Sequence, residues 1–151
     1  MMNAFKDLLD LLPANTGMVY AVIIHPDKNQ SSNPAEILQQ HTSMTVQPVL
    51  GRVRVQPDVV YIIPPGASLV ADKNILYFTN TEHKRFTRFP VDDFFRSLAL
   101  SYHGPVIGIL LSGIGMDGAR GSLSIKGKKG LVLVQAEEAD IAVLPGSFTG
   151  E

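Results

Sequence analysis

Apolar positions recur at helical spacing near the front of the chain and form unbroken runs further on, with a frequently interrupted β-branched stretch between. Phe5, Leu8, Leu9 and Leu12 share one face of an opening helix, with Asn3 as its predicted N-cap and Pro13 as its stop. The run MVYAVII at 18–24 predicts a buried strand that ends on His25, Pro26 and Asp27. Asn33 as N-cap, Pro34 at the first helical position and Glu36 placed to bond back predict a second helix, closing near His41 or Thr42. From there to about Thr79, the short runs 45–50, 59–63, 68–71 and 75–78 are broken by Pro, Gly, Asp and Asn. Such spacing predicts hairpins appended to a parallel sheet rather than further βαβ units. Residues 79–88 read as a polar surface loop or as a cationic rim for an acidic partner.

Pro90, Val91 and Asp92 open a helix whose Phe94, Phe95, Leu98, Ala99 and Tyr102 form a broad apolar face. The run 106–111 has the length and branching of a strand buried on both faces, at the centre of a parallel sheet. A helix over 119–128, weakened by Gly121 and Gly127, a buried strand over 131–135, and a short strand or loop within 140–148 complete the pattern. The fold class expected is α/β: a mixed, mostly parallel sheet with helices on both faces, in which 18–24 and 106–111 are neighbours or one strand's place apart. The chain opens in the helix that a first strand would feed and stops without a closing helix, so one domain incomplete at both ends is expected. Its exposed apolar edges predict self-association.

Composition narrows the function classes. At 151 residues, 45% hydrophobic and a formal charge of -1, the chain has material for one core and no basic surface for nucleic acid. No apolar run approaches the roughly 20 residues of a membrane helix, and a cytoplasmic protein is expected. Zero cysteines exclude disulfides, thiolate nucleophiles and thiolate zinc sites, leaving four histidines and the carboxylates.

Two residues at predicted strand ends carry the candidate chemistry. Gly113, Gly115 and Gly118 surround Asp117 just past the 106–111 strand, where α/β sheets collect ligands and catalytic groups. A plain helix-capping turn is the bland reading, and a phosphate loop fits poorly because neither G-x-x-x-x-G-K-[ST] nor a full G-x-G-x-x-G is present. His25 is an oriented core residue, a metal ligand or a general base. The metal reading is the weakest, since His41, His83 and His103 fall in other elements, with His41 and His103 at helix ends. No metal or cofactor is expected.

Four blocks in order, LLDLLPANTGMVYAVIIHPD, VYIIPPGASLVADKNILYF, FPVDDFFRSLA and LLSGIGMDGARG, resemble the catalytic domain of the CheB-type protein-glutamate methylesterases over nearly the whole length. The form fused to CheR-type methyltransferase and PAS segments in hybrid signalling proteins is the most similar. The resemblance implies a Rossmann-like, doubly wound sheet with an antiparallel hairpin region, lacking here the first strand and last helix. It also implies Ser-His-Asp hydrolysis of glutamyl methyl esters on methyl-accepting chemoreceptors in chemotaxis. His25 matches the family's Q-H histidine, and Asp117 the aspartate of its T-G-M-G-x-D-G motif. Ile114 stands at the methionine whose backbone N–H helps form the oxyanion hole. The family's nucleophile lies in a serine-glycine turn before the first helix, and this sequence begins after that turn. Ser112 sits on the other side of the glycine turn, and no G-x-S-x-G elbow exists. Ala136 replaces a usual Asp and Leu144 a usual Met. An inactive remnant that binds a receptor or partner is the alternative expectation.

Overall fold

The computed structural model describes residues 2–25, 33–65, 67–79, 88–111 and 116–135, and the backbone of 141–142. Three three-stranded sheets organise them. The first is wholly parallel, in the order β1 (Tyr20–Ile23), β4 (Val59–Ile63), β2 (Thr45–Pro48). The second is antiparallel and joins β3 (Val53–Arg54), β6 (Ile75–Phe78) and β5 (Leu69–Asp72). In the third, β7 (Ile107–Leu110) runs parallel to β8 (Leu131–Gln135), and β9 (Ile141–Ala142) pairs antiparallel beside β8. The sheets are open, and the architecture is the mixed, mostly parallel α/β kind expected from the pattern.

Two apolar cores explain the layering. One face of the first sheet, through Val60, Ile62, Tyr20 and Val22, packs on Leu9 of α1 (Met2–Leu11) and on Ala35 and Leu38 of α2 (Pro34–Gln39). The opposite face, through Tyr61 and Ile63, joins a larger core with Leu69, Ala71 and Leu76 of the hairpin. That core continues through Phe94 and Phe95 of α3 (Pro90–Ser101), Ile125 of α4 (Ala119–Gly127), and Leu110 and Val132 of the third sheet. Burying several such side chains, at about 1.5–3 kcal/mol each, is what orders the hairpin against the parallel layers.

Several expectations need correction. Asn3 lies inside the first turn of α1 rather than capping it. The runs 45–50 and 59–63 supply parallel strands of the first sheet, with β4 at its centre, because VVYII has apolar partners on both of its faces. Only β3, β5 and β6 form the appended hairpin region. The strands β1 and β7 are not buried on both faces: Ala21 and Ile107 are exposed, and each strand lies at an edge of its sheet. They belong to different sheets and do not pair, so of the two expected arrangements only that of direct neighbours is excluded among the described residues. Residues 80–87, with His83, and residues 136–140 and 143–151, with Ala136 and Leu144, lie outside the described residues.

Elsewhere the local signals act as read. Asn33 Oδ1 accepts from the N–H of Ala35 at 3.1 Å, and Pro34 opens α2. The other end of that helix protects a sheet edge. Gln39 Oε1 accepts from the N–H of Val46 at 2.9 Å, and its Nε2 donates to the carbonyl of Met44 at 2.8 Å, so the outer edge of β2 is already bonded. The helix stops at Gln39 with Gln40 as its C-cap, short of the His41 or Thr42 expected, and His41 pairs sideways, with Nδ1 2.9 Å from Asp10 Oδ1 of α1.

Candidate active site

Both residues singled out at strand ends meet, although their strands do not. The last residues of β1 lead through buried Ile24 into His25, whose ring is partly exposed. Asp117 lies in the turn before α4, with its side chain only 3% exposed. The two are 3.1 Å apart, from His25 Nε2 to Asp117 Oδ2.

Asp117 is held from behind by another helix. The N-terminus of α3 begins with Pro90, and its N-cap, Phe89, makes no side-chain cap bond. The first free N–H groups of that helix need an acceptor. Asp117 supplies it from 26 residues away along the chain: Oδ2 accepts from Val91 N at 3.0 Å. Its Oδ1 accepts from Asp92 N at 2.9 Å. A carboxylate on a helix N-terminus is electrostatically favoured there and rigidly aimed. The remaining direction of Oδ2 points to the imidazole.

This geometry fixes the roles of the two ring nitrogens. With Nε2–H donated to Asp117, Nδ1 is the nitrogen that can accept a proton. Among the described residues no hydroxyl bonds to the ring. Ser97 donates to the carbonyl of Phe94 and Ser101 to that of Ala71, while Ser68 bonds to Thr79. Ser122 is fully buried, and its Oγ has no partner among the described residues. Ser112 and Ile114 lie outside the described residues, as does Asp27. No three His, Asp or Glu side chains gather at metal-binding distance among those described.

Close packing of α3 on α4 sets the site's back wall. Gly118 has φ of 99°, and a Cβ there would lie 2.6 Å from Leu110 Cδ2. At Gly121 a Cβ would meet Phe95 Cβ at 2.7 Å and the Asp92 backbone at 2.9 Å. Backbone cannot rotate away as a side-chain tip can, so Gly121→Ala is expected to push the helices apart and cost about 1–3 kcal/mol. Urea unfolding measures this, and an unchanged midpoint would show that the contact yields freely.

Asp92 is the residue that the sequence reading missed. It sits beside Asp93 in the first turn of α3 with the same local signature, yet it is 4% exposed and bonds to backbone of the α4 turn. A partner 26 residues away leaves no trace in local pattern.

The CheB methylesterase family model matches residues 2–149. The chain belongs to the CheB methylesterase family. A Leptospira interrogans protein carrying the name protein-glutamate methylesterase/protein-glutamine glutaminase is 29% identical over 147 residues, covering 96% of this chain and 76% of that one. A Mesorhizobium japonicum protein-glutamate methylesterase/protein-glutamine glutaminase is 32% identical over 134 residues, and there the match spans 87% of this chain but 39% of the relative. Among solved structures, the Thermotoga maritima CheB methylesterase catalytic domain superposes with a TM-score of 0.71 at 25% identity, covering 87% of this chain and 71% of that one. Membership makes the chemistry of the pair a question about chemotaxis ester hydrolysis within the CheB family. No helix among the described residues is long and apolar enough to cross a membrane.

Proposed function

We propose that His25 and Asp117 are the base and orienting acid of a Ser-His-Asp site that hydrolyses glutamyl methyl esters on methyl-accepting chemoreceptors. The observation that carries this reading is the 3.1 Å contact between His25 Nε2 and a buried Asp117 that two α3 amides hold in place. A seryl Oγ attacks the ester carbonyl while its proton passes to His25 Nδ1. The oxyanion is met by backbone N–H donors, with Ile114 N–H the candidate from the family motif. Collapse expels methanol, which takes the proton from Nδ1. Water then attacks the acyl-enzyme, giving a proton to Nδ1, and the serine leaves by taking that proton back, so that glutamate is the product and the base is restored. The relatives' names also include glutaminase activity. The same acyl-enzyme arises from a glutamine side chain when Nδ1–H protonates departing ammonia.

The serine is assigned to a strand seated between β1 and β7. Each of these strands has one side without a strand partner among the described residues, and their carboxyl ends lead to the joined pair. CheR-type methyltransferase and PAS segments of a longer chain are proposed partners. A second reading, a module that binds receptor without hydrolysis, is favoured by the lack of a hydroxyl on the imidazole among the described residues. Incubating a methylated chemoreceptor segment with protein that includes the serine strand separates the two. Methanol release supports hydrolysis, and binding with none overturns it.

A further inference from the structure

We propose that Asp92 is a positioning residue for the His25–Asp117 pair, a role that rests on reading that pair as the acid-base element of the site. Asp92 is 4% exposed, and its Oδ1 accepts from Gly118 N at 3.1 Å and from Gly121 N at 2.6 Å. Its own N–H is donated to Asp117 Oδ1 at 2.9 Å. The two aspartates are therefore exchanged between helices: Asp117, which precedes α4, caps α3, and Asp92, which belongs to α3, caps α4. Neither helix has a side-chain cap of its own at the N-cap position. Each buried carboxylate thus lies at the positive end of the other's helix, where its oxygens are bonded rather than merely desolvated.

The consequence for the site follows from adjacency. Gly118, whose N–H is held by Asp92, is the next residue after Asp117. The peptide that follows Asp117 is fixed by the same residue whose N–H fixes its side chain. Without the Asp92 carboxylate, the α4 turn loses its registration on α3 and Asp117 is free to swing from the imidazole. Misplacement by about 1 Å is enough to cost a catalytic group on the order of 10²-fold. Asp93, one residue further, has a side chain 36% exposed and lies near Arg96, and so does not substitute.

A cap that only supports the helices would stabilise the fold without changing the imidazole, so the decisive readout is the ring. In protein with 15N-labelled histidine, examined where the ring is neutral, the parent is expected to show His25 as a single tautomer with the proton on Nε2. Asp117→Ala, which leaves no acceptor for Nε2–H, should lose that tautomer. Asp92→Ala should lose it as well, while Asp92→Asn, which keeps an acceptor oxygen for Gly118 and Gly121, should retain it. A single Nε2–H tautomer in Asp92→Ala overturns the positioning role, as does its loss in Asp92→Asn. Retention in Asp117→Ala would instead overturn the pair on which the role depends. Should Asp92→Ala fail to fold, Asp92→Ser, whose hydroxyl falls short of both amides, takes its place under the same criterion.

Discussion

Replacing His25 with alanine is expected to lower methyl-ester hydrolysis by on the order of 10⁶-fold in protein that includes the serine strand, the loss that removal of the general base produces in subtilisin. The size follows from the chemistry. A seryl hydroxyl is a weak nucleophile until its proton is accepted, and His25 Nδ1 is the acceptor left once Nε2 is engaged by Asp117. If the nucleophile lies on the proposed strand between β1 and β7, the same substitution should change nothing in the 151-residue chain on its own. Its ring is partly exposed and bonds to Asp117 alone among the described residues, so stability should move little. Methanol release measures both arms. Release by the 151-residue chain alone that His25→Ala removes would put the nucleophile inside it, with Ser112 the first to test.

Asp117→Asn should lower hydrolysis by about 10⁴-fold, the cost of the equivalent change in a serine protease triad, where the imidazole is left in the wrong tautomer. Asp117 faces three donors with two acceptor oxygens: Val91 N and His25 Nε2 on one, Asp92 N on the other. An amide has one acceptor and one donor end. If its oxygen stays on Asp92 N, its NH₂ confronts Val91 N–H and forces Nε2 to become an acceptor, which moves the ring proton to Nδ1. If its oxygen takes the other place, Asp92 N–H is left facing a donor in a buried site. That orphan costs about 1–3 kcal/mol. Activity within tenfold of the parent in Asp117→Asn protein whose 15N-labelled His25 carries its ring proton on Nδ1 would remove Asp117 from the mechanism.

Much of the fold was readable because apolar runs are long where strands are buried. The run 131–135 became β8 with those ends, and 106–111 contained β7. The start signal was realised in its cap, Asn33, and its first helical residue, Pro34. The same runs brought forward His25 and Asp117 as candidates, since both follow them, and the two side chains meet. What failed was direction and context. A five-residue run such as VVYII between Pro57 and Pro64 carries no mark of whether its partners run parallel, and its flanking prolines imitate hairpin boundaries. Burial on both faces of β7 was also overread, because an unbroken apolar run fits a half-covered strand equally well. Asp92 and Asp93 are alike by every local rule, and only the approach of α4, permitted by Gly121, makes one of them internal.

The contact between His25 and Asp117 joins residues 92 apart in sequence. In folding terms it is a non-local closure, and such contacts form after the local elements that carry them. His25 follows β1 of the first sheet, whereas Asp117 is held by the start of α3, so the base is oriented only when the first sheet is seated on the larger core beside α3. The proposed hydrolysis would therefore count only molecules in which that face of the sheet is closed. A partly opened population would be silent rather than slow, and a protease cut that let the first sheet drift from α3 should extinguish activity while leaving most helical signal in place.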